Sequence, residues 1–99
     1  MSRFDIYTLA DRKEYGIDIQ SELVDFLPTR LIIPLVEETR ISRKLPEIHL
    51  PIEINGQTLY AVTNMIAAVP ARQLRKRIGS AERYWSEITS AIDYVLQGV

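Results

Sequence analysis

The chain contains no cysteine among its 99 residues, and it has a single histidine, His49. Without cysteine there is no disulfide, no thiolate metal site and no thiol nucleophile. One histidine leaves too few ligands for zinc and would have to serve any Ser-His-Asp arrangement alone. His49 lies in an alternating run, which favours an ordinary strand or turn position. We therefore predict neither a metal nor a cofactor, and a reducing compartment.

Glycine and long apolar runs are also scarce. The four glycines are scattered along the chain, so no glycine-rich phosphate-binding loop is formed. No apolar run approaches the roughly 20 residues that a membrane-spanning helix needs. The first seven residues lack the apolar core of a signal peptide. We therefore expect a cytoplasmic protein without a membrane partner.

The composition is that of one globular domain. Hydrophobic residues make up 46% of the chain and charged residues 25%. A chain of this size buries about 65% of the surface that its unfolded form exposes, so it can form its own core. We predict a single domain over residues 1–99.

The net charge of −1 argues against a protein that coats nucleic acid through an overall positive field. Positive charge is nevertheless concentrated in one short stretch. Its members are Arg72, Arg75, Lys76 and Arg77. Such a cluster is usually a solvated face, and the alternative is a docking patch for an acidic partner.

The first two thirds of the chain show the two-residue period of β-strands. Apolar side chains alternate on both sides of a polar turn at residues 10–13, which predicts an antiparallel hairpin. A second hairpin is predicted for residues 47–54 and 57–63, because Asn55-Gly56 between them is a strong turn signal. Residues 30–36 are almost entirely apolar and contain Pro34, so this strand should bend, bulge or lie at an edge near the proline.

The last third is predicted to be mostly helical. A short basic helix is expected over residues 71–78, ended by Gly79, and an amphipathic helix over residues 80–97, with Ser80 as its N-cap and Gly98 at its end. Its apolar stripe should hold the helix on the sheet through Trp85, Ile88, Ile92 and Val95. Five or six strands and a covering helix favour a mainly β (α+β) fold, a partly open barrel of antiparallel strands with a C-terminal α-helix.

One enzymatic hypothesis remains open from the residues themselves. Small barrels can cleave RNA with arginine, threonine and a carboxylate, since positioning and charge stabilisation contribute much of the rate. Thr29-Arg30 is the nearest candidate pair. Its ordinary interpretation is a loop threonine followed by a strand-edge arginine.

Several spaced segments resemble the CcdB family of plasmid and chromosomal toxins. The segments are IDIQSELVD at residues 17–25, TRLIIPL at 29–35, PIEI at 51–54, TNM at 63–65, VP at 69–70, AID at 91–93 and the final GV. The resemblance extends over essentially the whole chain. It implies a homodimeric SH3-like barrel that is not an enzyme and that poisons DNA gyrase, a topoisomerase, as in plasmid maintenance.

The resemblance also implies partners and contact residues. The partners are the gyrase A subunit and a cognate CcdA-like antitoxin, without direct sequence-specific binding of nucleic acid. The implied gyrase contacts are Leu23, Val24, Asp93, Leu96, Gln97, Gly98 and Val99. The family pattern has tryptophan at position 97 and asparagine at position 93. For the antitoxin, the basic cluster is the candidate docking patch.

Two other functions stay open beside gyrase poisoning. One is an mRNA endoribonuclease toxin of the MazF and Kid type, which has a related barrel. The other is a toxin-like fold that has lost poisoning and serves as an antitoxin-binding or dimerisation module.

Overall fold

The computed structural model describes residues 2–9 and 14–98. Within these ranges it contains seven strands and one α-helix. They are β1 (Asp5–Leu9), β2 (Tyr15–Asp18), β3 (Thr29–Val36), β4 (His49–Ile54), β5 (Gln57–Val62), β6 (Ala67–Pro70), β7 (Leu74–Ser80) and α1 (Trp85–Gln97). Short 3₁₀ turns connect several of them.

The strands form one antiparallel sheet. Their order is β4-β5-β3-β2-β1-β7, and β6 pairs with the first half of β3. With α1 against it, the sheet is a half-barrel closed by a C-terminal helix. The predicted α+β fold class is therefore confirmed, although seven strands replace the expected five or six. None of the helical segments in the described ranges has the length and apolar character needed to cross a bilayer.

Both predicted hairpins are present. β1 and β2 pair with Ile6 opposite Ile17, and the predicted turn at residues 10–13 lies outside the described residues. β4 and β5 pair on either side of Asn55-Gly56. Asn55 has φ of 50° and Gly56 has φ of 82°. A two-residue hairpin turn needs left-handed backbone at both positions, which asparagine and glycine tolerate best.

Pro34 lies inside the sheet, where β3 changes partners. On one side, β6 pairs with Thr29–Ile32 of β3 and β5 pairs with Leu35 and Val36. Neither Ile33 nor Pro34 has a register partner on that side. Proline has no N–H to donate, so the gap between two partner strands accommodates it without losing a ladder hydrogen bond. The sequence pattern allowed an edge position for this strand as one alternative. That alternative is wrong, because β3 lies between other strands.

The predicted basic helix at residues 71–78 is wrong. A 3₁₀ turn at Ala71–Gln73 leads directly into β7, which pairs with β1. Leu74 is buried opposite Leu9, and Gly79 pairs with Ile6 instead of ending a helix. Sheet pairing and burial of Leu74 thus override the weak local preference for helix.

The terminal helix is shorter than predicted. α1 begins at Trp85, and Ser80 ends β7. The Ser80 hydroxyl accepts a hydrogen bond from the Glu82 amide at 3.1 Å, ahead of the 3₁₀ turn at Glu82–Tyr84, so the prediction that Ser80 caps the terminal helix is wrong. The predicted end is confirmed. Gly98 has φ of +77°, and its amide donates to the Tyr94 carbonyl at 2.9 Å.

Only part of the predicted helix stripe is buried. Ile88 and Ala91 are buried in the core, and Ile92 is half-buried against it. Trp85 is 58% exposed and Val95 is 36% exposed, so the expectation that both hold the helix on the sheet is wrong. The core beneath α1 consists mainly of isoleucines. Its largest fully buried side chains include Ile6, Ile17, Ile33 and Ile52.

Replacing Ile88 should therefore destabilise the protein much more than replacing Trp85. We expect Ile88→Ala to lower the free energy of unfolding by about 2–5 kcal/mol, because it leaves a cavity in a packed core. Trp85→Ala removes an exposed side chain and should cost less than about 1 kcal/mol. Urea unfolding followed by circular dichroism measures both. Equal losses for the two variants would contradict this assignment of the helix face.

Candidate functional site

A buried ion pair lies at the base of the segment between β2 and β3. Asp18 is the last residue of β2, and Arg30 is the second residue of β3. The Arg30 Nε donates to Asp18 Oδ2 at 2.9 Å, and Nη2 lies 2.8 Å from the same oxygen. Their side chains are 0% and 2% exposed, respectively. Charges buried to this extent are tolerated only when they are paired and hydrogen-bonded.

Gln20 connects this pair to the loop that follows. Its backbone amide donates to Asp18 Oδ1 at 3.1 Å. Its side-chain Nε2 donates to the Val24 carbonyl at 2.7 Å, and its Oε1 accepts from the Leu31 amide at 2.9 Å. The Gln20 side chain therefore bridges the loop and strand β3.

The segment of residues 21–27, which we call the apolar loop, carries two of the predicted gyrase contacts. Leu23 is 88% exposed and Val24 is 37% exposed. A 3₁₀ turn at Glu22–Val24 shapes the loop, and the Ser21 hydroxyl accepts from the Leu23 amide at 3.2 Å. The structure thus places both side chains on one short, hydrogen-bonded turn at the surface.

The apolar loop also exposes two large side chains that the sequence analysis missed. Phe26 is 77% exposed and Leu27 is 41% exposed. The available signal was the alternation of acidic and apolar residues in ELVDFL, just before the strand predicted at residues 30–36. Apolar residues in a surface loop have no core to join, and a cluster of them is a feature of interaction sites.

The other predicted contacts lie in the last turns of α1. Asp93, Gln97 and Gly98 are exposed, Leu96 is 73% exposed, and Val99 lies outside the described residues. A small apolar cavity of about 30 Å³ opens beside this turn. It is lined by Thr63, Ile66, Ile92, Val95 and Leu96.

The two groups of predicted contacts are built by different parts of the chain. Leu23 shares an open depression with Arg3, Phe4 and Glu82, near the beginning of α1. Leu96 packs beside the 3₁₀ turn at Thr63–Met65. The structure brings the side chains within each group together. The two groups themselves lie on different elements, one on the apolar loop and the other on α1.

The predicted antitoxin residues are exposed on an edge of the sheet. Arg75, Lys76 and Arg77 belong to β7, the last strand in the sheet order, and Arg72 lies in the preceding 3₁₀ turn. The Arg77 Nε lies 3.0 Å from Asp5 Oδ1, so its charge is already paired within the chain. Two register shifts interrupt the pairing of β7 with β1. Irregular, charged edges of this kind discourage edge-to-edge aggregation.

The pairing of Arg77 with Asp5 also affects Tyr7. Burial, together with the nearby Asp5 and Asp18 carboxylates, raises the pKa of the Tyr7 phenol, and Arg77 acts in the opposite direction. The phenol is therefore held neutral and adds no further charge to this region.

The residues considered for catalysis are engaged in structural contacts. Arg30 is buried against Asp18, so its guanidinium is withheld from a substrate phosphate, while Thr29 is exposed. His49 is buried, and its Nδ1 accepts a hydrogen bond from the Leu45 amide at 2.9 Å. No cluster of three or more metal-binding side chains occurs in the described part of the chain.

Comparisons with known proteins agree with this architecture. The family model described as CcdB protein matches residues 3–98. An endoribonuclease from a Mycobacterial species, solved in complex with its cognate antitoxin, has a TM-score of 0.81 at 12% identity, covering 97% of this chain and 94% of that one. The Mycobacterium tuberculosis toxin MazF-mt6 has a TM-score of 0.77 at 14% identity, covering 93% and 95%. At such identities the structural likeness shows the fold alone.

The buried ion pair can be tested by a double-mutant cycle. Asp18→Asn and Arg30→Met should each destabilise the protein by about 3–5 kcal/mol, because each leaves a buried charge unpaired. The double variant leaves neither charge and should be more stable than the sum of the single losses predicts. Urea unfolding of the four proteins measures the coupling. Strictly additive losses would mean that the two charges do not depend on each other.

Proposed function

We propose that this chain, which belongs to the CcdB protein family and is a toxin of a toxin–antitoxin system, binds the DNA gyrase A subunit and traps the gyrase–DNA cleavage complex. The observation that carries the proposal is the family match over residues 3–98. In this mechanism the toxin acts by binding and not by catalysis. Its working parts are therefore surfaces that a partner can reach.

The exposed side chains support this kind of action. Leu96 is 73% exposed on a regular helix and Leu23 is 88% exposed on a hydrogen-bonded turn. Large apolar side chains held outward on rigid supports suit burial in a partner, because little conformational entropy is lost on binding. We assign the contact to Asp93, Leu96, Gln97, Gly98 and Val99, together with Leu23 and Val24.

The proposed active form is a homodimer. Gyrase presents its A subunits as a dimer in this mechanism, and a two-fold toxin offers the same contact residues twice to a two-fold target. Each chain contributes one copy of the helix end and one apolar loop. The exposed apolar residues in the last turns of α1, which include Tyr94 at 44% and Leu96 at 73%, provide surface for both self-association and target binding.

An endoribonuclease is the second candidate, because the solved structures with the same fold include such enzymes. The geometry of this chain favours the first candidate. The arginine that RNA cleavage would recruit from the Thr29-Arg30 pair is 2% exposed and is bound to Asp18. A guanidinium that stabilises a phosphorane has to face the substrate.

We further propose that the basic residues on and beside β7 receive a cognate antitoxin. The likeness to a solved toxin–antitoxin complex supports an antitoxin partner in general. Arg72, Arg75 and Lys76 are exposed, and none of them belongs to an ion pair within the described residues. An acidic antitoxin segment would find three available cations on one edge of the sheet.

Gyrase poisoning can be tested with purified components. We expect the protein to stabilise gyrase-cleaved DNA and to leave single-stranded RNA intact. Leu96→Ser should lower the accumulation of cleaved DNA at least tenfold, because it removes an exposed apolar anchor. Trp85→Ser is the matched control, since it removes another exposed apolar side chain from the same helix and should have little effect.

Three other results of this experiment would contradict the proposal. RNA cleavage without an effect on gyrase would support the endoribonuclease. Activity on neither substrate would support a binding module that has lost poisoning. Equal losses for Leu96→Ser and Trp85→Ser would show that the end of α1 is not the specific contact.

The role of the basic residues can be tested by association kinetics. Replacing Arg72, Arg75 and Lys76 with glutamine should slow antitoxin binding about tenfold at low salt, with a smaller difference at high salt. Surface plasmon resonance with the cognate antitoxin measures the rates. Arg77→Gln is the informative comparison, because Arg77 is paired with Asp5 and should contribute less. Unchanged association rates would identify the cluster as an ordinary solvated surface.

A further inference from the structure

Phe26 is the most exposed aromatic side chain among the described residues, at 77%, and none of the roles proposed so far uses it. It follows Leu23 and Val24 in the apolar loop and precedes Leu27, which is 41% exposed. An aromatic ring in solvent loses hydrophobic stabilisation unless a partner covers it. The position of Phe26 beside two proposed gyrase contacts makes it continuous with that surface.

The apolar loop is held firmly in place. Within it, the Val24 amide donates to the Ser21 carbonyl at 3.1 Å, and the Leu27 amide donates to the Val24 carbonyl at 3.3 Å. From outside, Gln20 Nε2 binds the Val24 carbonyl at 2.7 Å, and Arg30 Nη1 lies 3.4 Å from the Asp25 carbonyl. Val24, Asp25 and Leu27 are therefore each hydrogen-bonded to a buried side chain or to another residue of the loop.

The charge around Phe26 indicates the chemistry of its partner. Glu22 and Asp25 are exposed on the same loop, and neither belongs to an ion pair among the residues described. Two free carboxylates beside an apolar cluster repel the phosphates of nucleic acid. They match a protein groove whose floor is apolar and whose rim carries lysine or arginine.

We infer that Phe26 is an additional anchor residue for the gyrase A subunit, inserted into an apolar groove with a basic rim, and that Gln20 is the positioning residue that holds it ready. This inference rests on the proposed function and extends its contact surface. Aromatic anchors that fill a pocket and become fully desolvated dominate many interfaces. A loop fixed before binding avoids the entropy loss of ordering it on contact.

The anchor can be tested by affinity. Phe26→Ser should weaken binding of the toxin to purified gyrase A subunit at least tenfold, as measured by isothermal titration calorimetry. Phe26→Leu should retain most of the affinity, because it preserves an apolar side chain. Trp85→Ser serves as the control for a general loss of exposed apolar surface. Thermal unfolding should be unchanged in all three, since the replaced side chains are exposed.

The positioning role has a separate measurement. Gln20→Ala should increase amide hydrogen exchange at Val24, Asp25 and Leu27, and at Leu31, whose amide loses its acceptor, while the other strand amides exchange as before. It should weaken gyrase binding mainly when Phe26 is present, so the double variant with Phe26→Ser should lose less affinity than the two single losses combined. Fully additive losses, or faster exchange throughout the protein, would assign Gln20 a merely structural role.

The contribution of the two loop carboxylates to binding can be measured separately. Glu22→Gln with Asp25→Asn should slow association with the gyrase A subunit and reduce its salt dependence. Unchanged salt dependence would overturn the inference that the partner's groove has a basic rim.

The outcomes separate this inference from the proposed function. If the unmodified toxin does not bind gyrase, both are overturned. If it binds and Phe26→Ser binds equally well, only the inference fails. Sedimentation provides the last distinction, because a dimer of twice 11.4 kDa should persist in Phe26→Ser. Loss of the dimer would assign Phe26 to self-association and overturn the inference.

Discussion

The buried ion pair between Asp18 and Arg30 is the constraint on which the arrangement of the surface depends. Two opposite charges in an apolar interior remain stable only at close distance and with their other polar atoms satisfied. Here one carboxylate receives the guanidinium and the Gln20 amide, and the same guanidinium reaches the Asp25 carbonyl. These contacts therefore fix the positions of three segments relative to one another: the end of β2, the beginning of β3 and the loop between them.

The apolar loop and strand β7 expose side chains of different charge. The apolar loop carries exposed apolar side chains with the acidic residues Glu22 and Asp25. Strand β7, at one end of the sheet order, carries basic residues, whereas the apolar loop joins the central strands β2 and β3. An acidic antitoxin segment and a groove with a basic rim would therefore prefer different regions. Under the proposed function the toxin binds two partners, and opposite charge at separate sites is a simple physical way to distinguish them.

A shared fold does not by itself define an activity. An endoribonuclease with 12% identity to this chain has nearly the same chain path, and at that identity the likeness shows the fold alone. The functional argument therefore depends on the environment of individual side chains in this chain. Arg30 illustrates the point, because an arginine at the start of a strand suits phosphate binding until burial against a carboxylate removes it from the surface.

The sequence by itself determined the features that depend on neighbouring residues. Asn55-Gly56 specified a tight turn, the two-residue period specified strands, and Gly98 specified a left-handed helix end, because each acts within a few residues. The tertiary structure alone decided that Leu74 begins a strand, that Trp85 faces solvent and that a loop presents Phe26. Each of these outcomes depends on contact with a distant segment. Pairing with β1 fixes the first, the strand at Leu74, and the packing of α1 on the sheet fixes the second, the exposure of Trp85. Hydrogen bonds from the buried side chains of Gln20 and Arg30 fix the third. Local propensities of a few tenths of a kcal/mol per residue are too small to resist such long-range contacts.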